Sequence, residues 1–273
     1  MTDRYCVIGN PIGHSKSPDI HAAFAAQTGQ DIGYERRLAP LDGFADTVRG
    51  LIANGFKGAN VTVPFKLEAF GLASRLAPRA QAAGAVNTLI FSGGEIVGDN
   101  TDGAGLVADI VRNAGVALAG KRVLLLGAGG AARGVMLPIL AERPLEVVVA
   151  NRTRATADAL AAQFAPQAGA ASVSACGFDQ IDRAFDVVIN ATSASLSAAM
   201  PPVPALAFCQ GGLALDMMYG NKPTVFMDFA AAHGATTRDG LGMLVEQAAE
   251  AFALWRGVRP DTETVLKDLR DKL

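Results

Sequence analysis

The run Arg122-Val123-Leu124-Leu125-Leu126 passes directly into Gly127-Ala128-Gly129-Gly130-Ala131-Ala132. An apolar strand that breaks on glycines and continues into a helix is the opening of a dinucleotide-binding unit. Gly127-x-Gly129-x-x-Ala132 fits the alanine-ended form of that fingerprint. Gly127 permits the tight turn, and Gly129 lets the backbone approach a pyrophosphate. Ala132 lets the helix pack close to the strand. The helix N-terminus then offers N–H donors and partial positive charge to phosphates. A plain glycine turn is the competing reading, and the flanking strand and helix argue against it.

Such a unit requires a parallel sheet with helices on both faces. Strand-like runs at residues 121–126, 147–150, 172–175, 187–190 and 213–216 supply it, with helices over 154–164 and 224–233 between them. Upstream, residues 5–8 read as a strand and 18–27 as a helix with Ser17 as N-cap and Pro18 in its first position. Residues 42–54 carry Phe44, Val48, Leu51 and Ile52 at helical spacing. Residues 58–63 read as a strand ending at Pro64. Strands at 88–91 and 95–97 flank Ser92-Gly93-Gly94 as a hairpin. A helix follows Thr101-Asp102 through Asn113. The chain closes with an amphipathic helix over 241–256 and a further segment over 262–273. The expected fold class is α/β with two domains.

Composition narrows the function. The 273 residues suffice for two cores, and 50% hydrophobic with 18% charged residues is globular rather than disordered. A net charge of −2 without a basic block gives no footprint for nucleic acid or an anionic membrane. Cys6, Cys176 and Cys209 are odd in number and far apart, so neither a disulfide framework nor a metal site is expected. Cys6 reads as a small apolar filler, and His14 and His21 as structural or exposed. No secretory leader or membrane-spanning run is read from the sequence, and a reducing cytoplasm fits.

The segment after the second strand of the dinucleotide unit chooses the cofactor. NAD sites usually place a carboxylate there for the ribose 2′-hydroxyl. Here it reads Asn151-Arg152-Thr153-Arg154, with two guanidinium groups and no carboxylate. Arginine can clamp a 2′-phosphate with paired, charge-assisted bonds, so NADP is expected.

Four polar clusters in the first hundred residues remain: 9–18, with Ser15 and Ser17; 60–66, with Asn60, Thr62 and Lys66; 85–88, with Asn87; and 99–103, with Asp102. Alternation puts Asn60, Thr62 and Pro64 on one strand face. In this order, and together with the glycine-rich turn, Asn190-Ala191-Thr192-Ser193, Asp216-Met217-Met218-Tyr219 and the run Gly240 to Ala249, the clusters resemble the shikimate dehydrogenase family over nearly the whole chain.

The resemblance implies a substrate domain of residues 1–102 plus 241–273, an NADP domain of 103–240, and an active site in the cleft. It implies reversible NADP-linked interconversion of shikimate and 3-dehydroshikimate, a step of chorismate and aromatic amino-acid biosynthesis, by a monomer or homodimer. By matching positions, Ser15 and Ser17 hold the substrate carboxylate with Tyr219 nearby. Asn60, Thr62, Asn87 and Gln247 meet ring hydroxyls, and Lys66 and Asp102 form the catalytic pair. Gly127, Ala128, Gly129, Gly130, Ala131, Asn151, Arg152, Thr153, Arg154 and Thr192 contact the cofactor, with Met217 and Gly240 near the nicotinamide. An ammonium and a carboxylate flanking an alcohol oxygen can manage both its proton and its developing charge. Without the resemblance, Lys66 reads as a solvated lysine and Asp102 as a helix cap. Ser195 departs from the family pattern, where glycine is usual. So does the loop 220–224, which lacks the proline common soon after the tyrosine. The alternatives are a dual quinate/shikimate dehydrogenase and a non-catalytic dinucleotide-binding regulator.

Overall fold

The computed structural model describes residues 2–197 and 199–273. The chain divides into two compact units, residues 1–105 with 245–269 and residues 106–244 with 270–273.

The first unit holds β1 (Asp3–Gly9), α1 (Ser17–Thr28), β2 (Ile32–Leu38), α2 (Phe44–Ala53), β3 (Phe56–Val61), α3 (Lys66–Leu72), β4 (Arg75–Leu76), α4 (Pro78–Ala83), β5 (Thr88–Ser92) and β6 (Glu95–Asp99). Its six-stranded sheet runs β2-β1-β3-β5-β6-β4. The first three strands are parallel, and β3, β5 and β6 pair antiparallel, with the β5–β6 hairpin joining Ser92 to Glu95. One face is filled by Phe44, Phe56, Phe65 and Leu89, with the Phe44 and Phe65 rings stacked at 5.0 Å. Each such side chain contributes about 1.5–3 kcal/mol on burial. Cys6, with no exposure, is a core residue as expected.

Helix α5 (Asp102–Ala108) leads out of this unit and continues as one wide π-type turn, Asp109–Asn113, rather than as α-helix. Asp109 sits there without solvent exposure, in a bidentate pair with Arg238 at 2.6 and 2.7 Å.

The second unit continues with β7 (Arg122–Leu126), α6 (Gly130–Ala141), β8 (Glu146–Ala150), α7 (Arg154–Phe164), β9 (Ser172–Cys176), β10 (Phe185–Asn190), β11 (Phe208–Asp216), α8 (Val225–Ala232) and β12 (Thr236–Arg238). Its sheet is parallel throughout, in the order β12-β11-β10-β7-β8-β9. Counted from β7, that is the 3-2-1-4-5-6 order of a doubly wound dinucleotide-binding sheet. The expected α/β class with a Rossmann-type second half is therefore the observed one.

Helix α9 (Leu241–Arg256) begins in the second unit and belongs to the first from Val245 onward; α10 (Glu263–Arg270) follows. Trp255 of α9 stacks on Tyr5 at 4.6 Å and donates its indole N–H to the Leu89 carbonyl at 3.1 Å. Arg256 pairs with Asp3 at 2.5 Å. These contacts tie the late helix to the first strand.

Two local expectations are corrected. Ser17 is not the N-cap of α1: Lys16 is, and Ser17 is the first helical residue, its N–H meeting Ser15 Oγ at 3.3 Å. The face-sharing of Asn60, Thr62 and Pro64 fails because β3 stops at Val61. Thr62 and Pro64 lie in the turn before Lys66, where the Phe65 N–H returns to the Thr62 carbonyl at 3.0 Å.

Candidate active site and cofactor site

Lys66 opens α3 and Asp102 opens α5. Their side chains meet at 2.5 Å, Nζ to Oδ2, each about a quarter to a third exposed. Asp102 does not cap its helix. Asn100 Oδ1 takes the Asp102 N–H at 3.1 Å, and the Thr101 carbonyl accepts from Gly105 at 2.9 Å. The Asp102 carboxylate is thereby left for side chains, and its Oδ1 accepts from Asn87 Nδ2 at 2.8 Å.

Asn87 is itself held on every side. Its Oδ1 accepts from the Thr101 N–H at 2.8 Å and the Thr88 hydroxyl at 2.9 Å, and its Nδ2 reaches Thr101 Oγ1 at 3.0 Å and Gln247 Oε1 at 3.4 Å. Asn60 adjoins the same cluster, donating to Thr88 Oγ1 at 3.1 Å and to the Asn87 carbonyl at 3.3 Å. Lys66, Asp102, Asn87, Asn60 and Gln247 thus form one bonded network in the first unit. Thr62 is placed by its backbone, its N–H donating to the Ile8 carbonyl at 2.9 Å. The Ser15 carbonyl is gripped by Arg36 through Nε at 3.0 Å and Nη2 at 2.6 Å.

Gln247 is carried by α9, which an ion network anchors. Arg79 binds Asp99 through two bonds of 2.7 and 2.9 Å and Glu250 through one of 2.8 Å, and Arg259 binds Glu250 and the buried Glu246 at 2.6 Å each. Burial would raise the Glu250 carboxyl, but Arg79 and Arg259 outweigh it and hold the group below its ordinary range.

The sequence reading missed Tyr34 of β2, whose hydroxyl donates to Asn60 Oδ1 at 2.8 Å. Burial pushes that phenol well above its ordinary value, so it remains a donor. It also missed Thr101, fully buried at the centre of the network. Thr101 stands within a polar cluster and was legible; Tyr34 is joined to Asn60 only by the pairing of β1 with its two neighbours.

In the second unit, a cavity of about 620 Å3 opens along the glycine-rich turn. Gly127 to Ala131, Asn151, Arg152 and Thr192 line it, together with Phe178, Met200 and Pro201, which the sequence did not single out. Gly127 has φ +98°, and a Cβ there would crowd the Ala191 carbonyl at 3.2 Å, so only glycine suits the turn. Added Cβ atoms on Gly129 and Gly130 would meet no atom within 4 Å, leaving bare backbone at the head of α6. This is the cradle a pyrophosphate requires. The described lining residues include Arg152 and no carboxylate, which suits a cofactor with an extra phosphate rather than a ribose hydroxyl.

Other expected cofactor residues are placed differently. Arg154 is committed to Asp158 at 2.8 Å and to Gln180 at 2.5 Å. Thr153 is the N-cap residue of α7, its carbonyl accepting from Asn151 Nδ2 at 3.0 Å. Met217 and Gly240 adjoin closely: a Cβ on Gly240 would overlap the Met217 carbonyl oxygen, so the approach requires glycine. Tyr219 is half-buried; burial, aided by Asp239, raises its phenol. Among the described residues, no cluster of potential metal ligands occurs and no helix is long and apolar enough to cross a membrane.

A doubly wound sheet with a phosphate cradle, joined to a unit bearing a bonded lysine–aspartate pair, defines a two-domain nicotinamide-dependent oxidoreductase. Comparison with known proteins specifies it further. Residues 7–89 match the shikimate dehydrogenase substrate binding domain, residues 109–199 the shikimate/quinate 5-dehydrogenase model, and residues 240–270 the shikimate 5′-dehydrogenase C-terminal domain. A curated relative from Janthinobacterium sp. (strain Marseille), the NADP(+) shikimate dehydrogenase, is 65% identical over 100% of this chain and 98% of its own. A solved Ael1 enzyme from Pseudomonas putida is 48% identical, with a TM-score of 0.94 over 98% of both chains. The shikimate 5-dehydrogenase of Thermus thermophilus, solved in complex with NADP(H) and shikimate, is 33% identical with a TM-score of 0.88 over 100% of both chains. The chain belongs to the shikimate dehydrogenase family.

Proposed function

We propose that this chain interconverts shikimate and 3-dehydroshikimate with NADP(H), a step of chorismate and aromatic amino-acid biosynthesis. Residues 1–102 with 241–273 take the substrate role, and residues 103–240 take the cofactor role. The observation that carries the reading is the Lys66–Asp102 pair at 2.5 Å, with Asn87 bonded to the second carboxylate oxygen.

Oxidising a secondary alcohol removes a hydride from carbon and a proton from oxygen. Gly127 to Ala131 would hold the pyrophosphate of NADP and Arg152 its 2′-phosphate, and the nicotinamide would supply the hydride acceptor. As an ammonium, Lys66 has three donors, and Asp102 occupies one. In the reduction direction another donor faces the carbonyl oxygen, stabilises its developing charge and gives it a proton; in the oxidation direction the amine so left neutral takes the proton of the alcohol back. Asp102 orients Lys66 and the hydroxyl. Asn60, Asn87, Thr62 and Gln247 hold the ring hydroxyls, and Ser15, Ser17 and Tyr219 hold the carboxylate. The partner is a small molecule, as the net charge of −2 supports. A cytoplasmic setting belongs to the same reading, and the free Cys6, Cys176 and Cys209 are consistent with it.

The test is an absorbance assay of purified protein with shikimate or quinate and NADP or NAD. The expected result is turnover with shikimate and NADP above every other pairing. Absence of NADP reduction with shikimate overturns the reading.

A further inference from the structure

Asp216 ends β11 without exposure to solvent, and its carboxylate gathers four donors. Oδ2 accepts from Ser195 Oγ at 2.6 Å, Thr224 Oγ1 at 2.7 Å and Asn190 Nδ2 at 3.2 Å. Oδ1 accepts from the Met218 N–H at 3.0 Å. Three stretches of chain are tied at this point: the turn after β10, the turn after β11, and the start of α8. Thr224 caps that helix by accepting from the Met227 N–H at 3.3 Å.

The tie reaches the cofactor cavity in short steps. Asn190 Oδ1 accepts both the N–H and the hydroxyl of Thr192, at 3.1 and 2.7 Å, and Thr192 lines the cavity. The Asn190 carbonyl accepts the Met217 N–H at 3.1 Å, and the Met217 carbonyl abuts Gly240. Asn190 therefore passes the position of Asp216 to two segments at once.

We propose that Ser195 and Thr224 are positioning residues for bound NADP, acting through Asp216 and Asn190 to fix Thr192 and Met217. This rests on the reading of NADP as cofactor. A buried carboxylate requires donors, and two hydroxyls meet that need without adding charge. Because both donate to the same oxygen, loss of either loosens the anchor of the other. With the tie intact, the rim is set before the cofactor arrives, and binding does not have to order it.

The test uses Ser195→Ala, Thr224→Ala, Ser195→Thr and Thr224→Ser in the full chain. The readouts are Kd for NADP by calorimetry without substrate, KM for NADP and for shikimate, and thermal midpoint. Each alanine variant is expected to weaken NADP by about threefold to tenfold, the scale of one lost hydrogen bond to a charged group partly replaced by water. KM for shikimate stays within about twofold of the parent, as does NADP binding in the two hydroxyl-retaining variants. A lowered thermal midpoint with unchanged Kd for NADP overturns the proposal, leaving the tie merely structural. Equal losses for NADP and shikimate overturn it as well. A parent that binds NADP but leaves shikimate unoxidised defeats the proposed activity, while the Kd shifts still decide the positioning role.

Discussion

Asn87 donates to Asp102 at 2.8 Å, and a third group fixes the direction of that bond. The Thr101 backbone N–H can only donate, and it meets Asn87 Oδ1 at 2.8 Å, so the amide nitrogen must face the carboxylate. With Lys66 at Oδ2, both oxygens of Asp102 have donors from the protein itself.

Lys66→Ala is expected to lower kcat by about a hundredfold or more, the scale of a lost acid–base or charge-stabilising group. KM should move much less, because the other polar partners of the substrate remain. Asp102→Asn should be as damaging, since its amide nitrogen would face either Lys66 or the Asn87 amide, donor against donor. The double variant should be little worse than the poorer single one, because the two act as a unit. Steady-state kinetics check this; a kcat within about threefold of the parent for Lys66→Ala removes it from the mechanism.

The two arginines after β8 should separate. Arg152 lines the cavity, whereas Arg154 is held by Asp158 and Gln180. Arg152→Ala should raise KM for NADP by about tenfold to a hundredfold, as expected for a lost charge-assisted contact, and hardly alter that for NAD. Arg154→Ala should have the smaller effect. The ratio of kcat/KM for the two cofactors in each variant decides, and a larger loss at Arg154 would place the phosphate contact there.

His21 makes the stability depend on pH. It is fully buried against Tyr34, the rings 4.1 Å apart, and among the described residues its nitrogens have no hydrogen-bond partner. Burial pushes the imidazole down to about 3. The unfolded chain takes up this proton near its ordinary value of about 6.5. Between those values the unfolded state holds more protons, so stability is complete above about 6.5 and falls as pH falls, by up to about 1.4 kcal/mol per pH unit. His21→Phe should flatten that fall. Urea midpoints at a series of pH values test it, and equal slopes in parent and variant would remove His21 as the source.

Shikimate should be preferred to quinate. Quinate carries an added hydroxyl on the carbon bearing its carboxylate, beside Ser15 and Ser17 if these hold that group. Ser17 is nearly buried, and Ser15 is pinned by Arg36, so the serines have little freedom to retreat. A tight site rejects an extra hydroxyl by only about a hundredfold, so slow quinate turnover agrees with this reading. Ser17→Gly should narrow the gap, chiefly by harming shikimate. Equal kcat/KM for both acids in the parent would defeat the steric argument.

Elements with strong local signals were legible in the sequence. Helices α7 and α9 have the expected bounds, and the glycine-rich turn lies between β7 and α6. Strand β2 escaped because it is an edge strand whose Glu35-Arg36-Arg37 interrupts any apolar run, and β12 because it spans three residues. The turn at Asp109–Asn113 could not be foreseen, since the Arg238 partner lies far along the chain. Within the candidate site, residue types were legible and their pairing was not. The i,i+4 spacing of Arg154 and Asp158 on α7 did announce their pairing, but nothing local announces that Ser195 and Thr224, each in a segment departing from the family pattern, converge on one oxygen of Asp216.

The bond between α9 and β1 also sets an order of assembly during synthesis. The first sheet is translated before the second, yet Tyr5 and the Leu89 carbonyl receive Trp255, and Asp3 receives Arg256, only after every strand of the second sheet has been made. The second sheet is contiguous from Arg122 to Arg238 and needs nothing later to pair its strands. Domains generally fold as units while the chain emerges. Here the half begun first is the half completed last: a chain that ends before Trp255 carries every strand of both sheets, yet the first still lacks the ring that stacks on Tyr5 and the arginine that pairs with Asp3.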